Sequence, residues 1–163
     1  MNEFVEQVRK FQETFDPKHT MYFPWALENA YDLGEAENVL ELREKLVKEE
    51  VDEMSEAIGK LIYYLNDARF KHVSVNRWLE YSDPKHWQDW HKAKVELADA
   101  LGDILVVTIG TAIALGFDIE KIMRRIHDSN MSKLGLDGKP IYRKDGKVMK
   151  GPNYHPPFLE DLV

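Results

Sequence analysis

Two pairs of acidic residues have the spacing that places carboxylates side by side on a helix. Glu50 and Glu53 form one pair, and Glu96 and Asp99 form the other. Residues three or four positions apart share a helix face, and apolar residues flank both pairs. Carboxylates crowded beside a core repel one another and lose hydration unless a cation compensates their charge. The pairs therefore predict an all-oxygen metal site built from two helices, which suits Mg²⁺ or Mn²⁺.

Each pair alone has a simpler explanation, because charged helix faces are common on solvated surfaces. The metal site is favoured because there are two such pairs. Each pair is flanked by apolar residues, and the two helices are long enough to pack together. Asp103 follows Asp99 by four positions, and a site role and a structural role both stay open for it. His86 and His91 are five positions apart and form no metal motif, and the absence of cysteine excludes thiolate ligands and thiol nucleophiles.

The elements that must position these residues are helices. Helical periodicity dominates the first four-fifths of the chain and predicts an all-α fold. We expect a short amphipathic helix over residues 2–15, with an apolar stripe of Phe4, Val8, Phe11 and Phe15. After it the pattern predicts a loop packed on the core (17–34), a helix over about 35–70, an ambiguous stretch (71–83), and helices over 84–115 and 118–131.

The segment after residue 133 departs from this pattern. Its glycines, prolines and two Asp-Gly turn signals predict an irregular C-terminal arm (134–163), with a hairpin that pairs 141–143 with 147–149. Between Lys121 and Lys150 the chain carries nine Lys and Arg against three acids, although its net charge is −7. The arm is therefore basic, and it either binds an anion or is a solvated polar terminus.

Length and composition narrow the class of protein further. The 163 residues predict one domain, 1–163, with a full hydrophobic core. The charged, amphipathic start predicts no secretory signal, so the cytoplasm is the expected location. The apolar run over 100–117 is interrupted by Asp103, and its uncharged part is shorter than the ~20 residues of a membrane span. We interpret this run as a buried core helix and expect no membrane association.

The acidic motifs and their surroundings resemble a known signature. Glu49-Glu50-x-x-Glu53 followed by Glu96-x-x-Asp99 resembles the EExxE…ExxD motif of the MazG-like all-α nucleoside triphosphate pyrophosphohydrolases. The SNMSKL segment (129–134) and the Asp-Gly-Lys segments (137–139 and 145–147) resemble a subset common in bacteria and phages. The similarity covers most of residues 2–157, and it implies a MazG-like helical bundle with an irregular basic C-terminal arm.

The resemblance implies a reaction and roles for the acidic residues. The expected reaction is metal-dependent cleavage between the α and β phosphates, which yields a nucleoside monophosphate and pyrophosphate. By motif position, the metal ligands are Glu50, Glu53, Glu96 and Asp99, with Mg²⁺ or Mn²⁺ as the cofactor. Glu49 and Glu53 are the candidate catalytic residues, and Glu49 acts as a base or as an additional ligand.

The basic arm and the first helix supply the candidate nucleotide contacts. Lysine side chains donate hydrogen bonds to the β and γ phosphates and stabilise the departing pyrophosphate. An asparagine bonds the sugar or base, a tyrosine closes over the site, a glutamine reads the base, and a tryptophan stacks on it. These residues are Lys133, Lys147, Lys150, Asn130, Tyr154, Gln12 and Trp25. Arg124 and Arg125 either contact phosphate or interact with a helix C-terminus.

The chain departs from the resemblance between its two acidic motifs. The stretch from Glu53 to Glu96 is longer than in compact members, and the excess falls in an aromatic insertion over 66–92, which includes Trp78, Trp87 and Trp90. An extended helical hairpin, an oligomer contact and a cover for the base pocket are the open interpretations. The phage-like tail favours a deoxynucleoside triphosphate, slightly dGTP, with dCTP or dUTP as alternatives.

Two alternative functions and an assembly state follow from the same residues. A non-catalytic helical module could bind nucleic acid or a protein through its basic arm, but the net charge disfavours nucleic acid. A phosphoribosyl-ATP pyrophosphohydrolase is the second alternative. Residues 104–115 are apolar on nearly every side of their helix, which requires packing partners all round. We therefore expect a homo-oligomer, either a dimer or a dimer of dimers, as the resemblance also implies.

Overall fold

The computed structural model describes residues 2–16, 33–81 and 83–162. Within these ranges the chain forms helices only, together with one isolated antiparallel bridge between Tyr142 and Val148. The helices are α1 (Asn2–Phe15), α2 (Leu33–Phe70), α3 (Val75–Tyr81), α4 (Pro84–Ala114) and α5 (Ile119–Met131). The all-α prediction is confirmed, and α3 lies in the stretch that the sequence pattern left ambiguous. The predicted loop lies outside the described residues, except for its last two positions, which begin α2.

The buried face of α1 differs from the predicted one. Val5, Val8 and Gln12 are buried, whereas Phe11 and Phe15 are 49% and 73% exposed and pack on each other with ring centroids 4.8 Å apart. Both sets of residues have helical spacing, so periodicity alone could not decide between the two faces. The predicted apolar stripe is therefore wrong at its two C-terminal phenylalanines.

The turn between α4 and α5 forms as its residue types predict. Gly116 adopts a left-handed φ of 75°, and the N–H of Phe117 reaches back to the carbonyl of Ala112 at 2.9 Å. This pattern ends a helix and satisfies its last carbonyl groups. The Asp118 carboxylate then accepts a hydrogen bond from the N–H of Lys121 at 3.1 Å, which caps the start of α5. Glycine after a helix and aspartate before one are residue types that favour these two positions.

The chain forms two compact units. The terminal unit contains the described part of residues 1–29 together with 109–163, and the central unit contains the described part of residues 30–108. α2, α3 and most of α4 lie in the central unit, while α1 and α5 lie in the terminal unit. That the whole chain acts as one domain stays a prediction.

The central unit contains an antiparallel helix pair. Lys60 on α2 bonds Glu96 on α4 at 2.9 Å, and further along α2 the ring of Tyr64 lies 6.1 Å from that of Trp90, edge to face. Residue numbers therefore rise on one helix as they fall on the other. The aromatic insertion takes the form of the adjoining ends of these two helices, with α3 between them.

Trp78 on α3 is the buried centre of the aromatic insertion. Its side chain is 3% exposed, its indole N–H donates to Asp67 Oδ2 at 2.7 Å, and its ring stacks on His86 at 5.2 Å. The ammonium of Lys71 lies 5.7 Å from the same ring and bonds Asp67 at 2.8 Å. α3 is thus held against α2 and α4 by one aromatic residue with a satisfied polar group.

α4 is far less buried than the sequence suggests. Its most apolar 18-residue window has a mean hydropathy of 1.7, which makes it long and apolar enough to cross a membrane, yet only 33% of that window is buried. One such helix is a weak indication of a membrane span. Ala112, Ile113 and Ala114 are buried, but Leu101 and Leu105 are about half exposed. The prediction of a buried core helix is therefore only partly right for a single chain.

The buried indole predicts a stability difference between two tryptophans of the insertion. Trp78→Ala should lower the free energy of unfolding by about 3–5 kcal/mol, because it removes a large buried ring and leaves Asp67 without its indole donor. Trp87→Ala is the matched control, since Trp87 is 53% exposed. Urea unfolding followed by circular dichroism measures both variants. Equal losses would contradict a structural role specific to Trp78.

Candidate active site

Acidic residues of α2 and α4 meet within the central unit. The antiparallel pairing brings the row of Glu49, Glu50 and Glu53 towards the row that includes Asp99 and Asp103. The charges around Glu50 show that the two rows converge. Its ionised carboxylate is repelled by four acidic residues, which are, in decreasing order of strength, Asp103, Glu53, Glu49 and Asp99. The structure thus gathers negative charge from both predicted motifs around one partly buried carboxyl group.

The pKa of Glu50 is raised by this environment. Partial burial is the largest cause, and the repulsion from Asp103, Glu53, Glu49 and Asp99 adds to it. Burial disfavours the charged form because it removes hydration, and neighbouring carboxylates disfavour it by Coulomb repulsion. A divalent cation would reverse both effects, since it binds the ionised form and neutralises its neighbours.

Glu96 is held differently from the other predicted ligands. Its Oε2 accepts a hydrogen bond from the Lys60 ammonium at 2.9 Å, and the Lys92 ammonium lies 3.7 Å from Oε1. The bond from Lys60 is the main cause that lowers the pKa of Glu96. Glu96 is therefore ion-paired with lysines. It is not among the residues whose charges raise the pKa of Glu50.

The candidate ligands have the chemistry that a hard divalent cation requires, although their side chains are not arranged around a common point. All the candidate ligands are carboxylates, which Mg²⁺ and Mn²⁺ prefer. Among the residues that the structure describes, no three acidic or histidine side chains lie close enough to hold an ion as they stand. Glu53 and Asp99 are exposed, so their side chains are free to rotate towards a cation. For Glu96 to join them, its bond to Lys60 must open.

The structure gives the surroundings of two acidic residues whose roles the sequence left open. Asp103, for which both roles stayed open, exerts the strongest repulsion of any charge on Glu50. Its position four residues after Asp99 was the signal that could have placed it in the site. Glu49, the candidate base, is about half exposed, and its carboxylate lies 3.7 Å from the Lys45 ammonium.

Four of the predicted nucleotide contacts lie together in the terminal unit. The Lys133 ammonium donates to Asn130 Oδ1 at 2.6 Å, and the Lys150 ammonium lies 4.2 Å above the ring of Tyr154. A backbone bond of 3.0 Å from the N–H of Gly151 to the carbonyl of Lys133 joins the two pairs. The structure therefore groups two cations, one amide and one phenol at the junction of α5 and the arm.

The other predicted nucleotide contacts are placed less directly. Trp25 lies outside the described residues. Lys147 is an exposed residue of the predicted hairpin, where its carbonyl accepts a bond from Arg143 at 2.8 Å. Gln12 is 5% exposed and packs against Gly110, where an added Cβ would lie 2.4 Å from Gln12 Nε2. Sequence reasoning missed Gly110, whose position inside an apolar helix is typical of a close approach.

Comparison with known proteins assigns the chain to a family. The family that matches this chain belongs to the MazG-like all-α superfamily of nucleoside triphosphate pyrophosphohydrolases. The phosphoribosyl-ATP pyrophosphohydrolase family matches residues 8–130, about three-quarters of the chain. The chain belongs to this family, which indicates an enzyme that hydrolyses an acid anhydride in a nucleotide. A search of the curated proteins finds no match.

The raised pKa of Glu50 predicts how its removal affects stability. Because the folded-state pKa lies above the ordinary value of 4.5, ionised Glu50 destabilises the fold at pH 7, and this effect disappears below pH 4.5. Glu50→Gln should therefore raise the Tm at pH 7 without metal, because the neutral amide lacks the charge that opposes folding. The difference from wild type should shrink as the pH falls and vanish below pH 4.5.

Thermal unfolding at several pH values, with Glu41→Gln as an exposed control on the same helix, measures this effect. Addition of Mg²⁺ should raise the Tm of the wild type more than that of Glu50→Gln, because the ion binds the carboxylate. A lower Tm for metal-free Glu50→Gln at pH 7 would mean that this side chain stabilises the fold by other contacts.

Proposed function

We propose that this protein hydrolyses a nucleoside or deoxynucleoside triphosphate to its monophosphate and pyrophosphate, with Mg²⁺ or Mn²⁺ as cofactor. The convergence of carboxylates from α2 and α4 on Glu50 carries the proposal. The family indicates the coarser activity, pyrophosphate-bond hydrolysis in a nucleotide. The grouped cations of the terminal unit support a substrate that contains several phosphates.

Glu50, Glu53 and Asp99 hold the metal in this proposal, with Asp103 beside them and Glu96 after it leaves Lys60. A bound divalent ion neutralises phosphate oxygens and lowers the pKa of a coordinated water. Glu49 lies next to this group in the chain and on the solvent side. Once separated from Lys45, it can accept the proton of the attacking water, because an ionised carboxylate is an acceptor only.

The side chains at the junction of α5 and the arm bind the substrate in this proposal. Lys133 and Lys150 donate charge-assisted hydrogen bonds to the β and γ phosphates, where negative charge grows as pyrophosphate leaves. Asn130 supplies an amide to the sugar or base. Tyr154, which carries the Lys150 ammonium over its ring, closes over the site.

The identity of the base and sugar is a separate part of the proposal. The phage-like tail favours a deoxynucleotide, and among these slightly dGTP. The family match supports phosphoribosyl-ATP as a second candidate substrate. The two candidates are distinguished by incubating the protein with each compound and measuring pyrophosphate release, since both reactions form this product.

The metal assignment predicts the loss of activity on neutralisation of a ligand. Glu53→Gln should reduce pyrophosphate release by about 100-fold or more, because a lost ligand leaves the metal misplaced or absent. Glu41→Gln should keep wild-type activity, since this exposed residue lies outside the acidic group. Excess EDTA should abolish the activity, and Mg²⁺ or Mn²⁺ should restore it. Undiminished turnover in EDTA would rule out the metal-dependent mechanism.

We also propose that the protein is a homo-oligomer, a dimer or a dimer of dimers. Bulky apolar residues of the central unit are exposed in the single chain, among them Ile58, Ile62, Val95, Leu101 and Leu105. Either a lipid bilayer or a second copy of the chain could cover this apolar face. Asp103 disfavours the bilayer, because an acidic residue at the centre of a membrane helix costs about 2.5–3.5 kcal/mol. We therefore expect a second copy. A symmetric pairing buries the same patch on both chains.

Light scattering across a dilution series tests the assembly. The wild type should have at least twice the 19.1 kDa mass of one chain. Ile62→Lys should shift the equilibrium towards the monomer, because it places a charge on the exposed apolar face. A wild-type monomer with full specific activity would contradict the assembly and leave the hydrolytic function standing.

A further inference from the structure

The C-terminal arm is fastened to α5 by contacts that the proposed chemistry does not use. The hydroxyl of Ser129, which is 4% exposed, donates to the carbonyl of His155 at 2.8 Å. The N–H of His155 donates to the hydroxyl of Ser132 at 3.1 Å. The two serines of the SNMSKL segment therefore bond one residue of the arm through its backbone. They hold the chain whatever side chain that residue carries.

Gly151 is a second point of attachment. It is buried, and its N–H donates to the carbonyl of Lys133 at 3.0 Å. A Cβ added here would lie 2.1 Å from the carbonyl oxygen of Leu134 and 2.7 Å from that of Lys133. Both neighbours are backbone atoms, which cannot rotate away as a side chain can. Only glycine lets the arm approach the end of α5 this closely.

Arg125 is the third point of attachment. Both of its terminal guanidinium nitrogens bond the carboxylate of Asp161, and one of them also donates to the carbonyl of Phe158 at 2.7 Å. The guanidinium lies 5.7 Å from the ring of Phe158. Of the two roles that the sequence left open for Arg125, the structure shows neither, because this cation binds the end of the arm.

These attachments are next in the chain to the residues of the arm that are proposed to bind phosphate. Lys150 directly precedes Gly151, and Tyr154 directly precedes His155. The arm has no helix or strand of its own in the described residues, so the attachments determine where these two side chains lie. Ordering a flexible segment costs free energy, and a site whose parts are already ordered does not lose that amount when its ligand binds.

We propose that Ser129, Gly151 and Arg125 are positioning residues, which hold Lys150 and Tyr154 beside Asn130 and Lys133 as a preformed clamp for a polyphosphate chain. The proposal rests on the proposed function, since it explains how the residues proposed to bind the substrate are held in place. Lys133 extends from the end of α5 and Lys150 from the arm, so the clamp exists only while the arm is attached.

Gly151→Ala tests the clamp, with Gly59→Ala as the matched control. Gly59 lies on α2 with nothing within 4 Å of an added Cβ. Calorimetry with inorganic tripolyphosphate measures binding without hydrolysis, and hydrogen exchange of residues 150–156 measures attachment of the arm. We expect Gly151→Ala to speed this exchange and to weaken tripolyphosphate binding by about 10-fold, because a misplacement of ~1 Å removes most of a positioned group's contribution. Gly59→Ala should match the wild type in both measurements.

A double-mutant cycle separates positioning from general destabilisation. Lys150→Ala should weaken tripolyphosphate binding in the wild type, but it should have little further effect in Gly151→Ala, since the ammonium is already displaced there. Additive effects would overturn the clamp. If Gly151→Ala does not fold, Arg125→Met takes its place in the same cycle, because its side chain is about one-third exposed.

The remaining outcomes distinguish this proposal from the proposed function. Wild-type protein that hydrolyses triphosphates while the two substitutions act additively would overturn the clamp and leave the function standing. Protein that binds tripolyphosphate through coupled Lys150 and Gly151 but hydrolyses no triphosphate would support the clamp and overturn the function. A wild type that binds no tripolyphosphate would overturn the clamp.

Discussion

Repulsion between carboxylates on two adjacent helices is the interaction on which the rest of this structure depends. α2 and α4 each carry a row of acids, and their antiparallel packing directs both rows towards Glu50. Such an arrangement opposes folding, so it persists only where other contacts hold the helices together or a cation neutralises the charge. The bond from Lys60 to Glu96 contributes one local neutralisation, and the charge around Glu50 is where a divalent ion would act.

The core that holds these helices together is built largely from small residues. Ala57, Ala93 and Ala100 are each about 1% exposed, whereas several bulky side chains of the same helices, such as Ile62 and Leu105, are about half exposed. Alanines bury little apolar surface, and apolar burial is the main favourable term in folding. The burial of Trp78 therefore contributes much of the stability of the central unit. The apolar residues that stay exposed on this unit are the reason why we expect a second copy of the chain to pack against it.

The C-terminal arm illustrates how an irregular segment can be as well defined as a helix. Backbone bonds to Ser129, Ser132 and Lys133, the close approach of Gly151 and the ion pair of Arg125 hold its residues 151–161. The hairpin adds a local turn, in which Gly146 has a left-handed φ of 82°. Lys150 directly precedes this attached part, so its backbone lies next to a fixed segment.

The sequence by itself determined the helices and the acidic motifs, because helical periodicity, capping residues and i, i+3 spacing are local properties. It determined the end of α4 through Gly116. It left α3 ambiguous because the turn after α2 places His72, a non-glycine residue, at a left-handed φ of 53°. Only the tertiary structure decided which face of α1 is buried, that Glu96 pairs with Lys60, that Asp103 acts on Glu50, and that Arg125 anchors the arm. Each of these depends on which residues distant in the chain come within a few ångströms, and spacing along one helix carries no information about that.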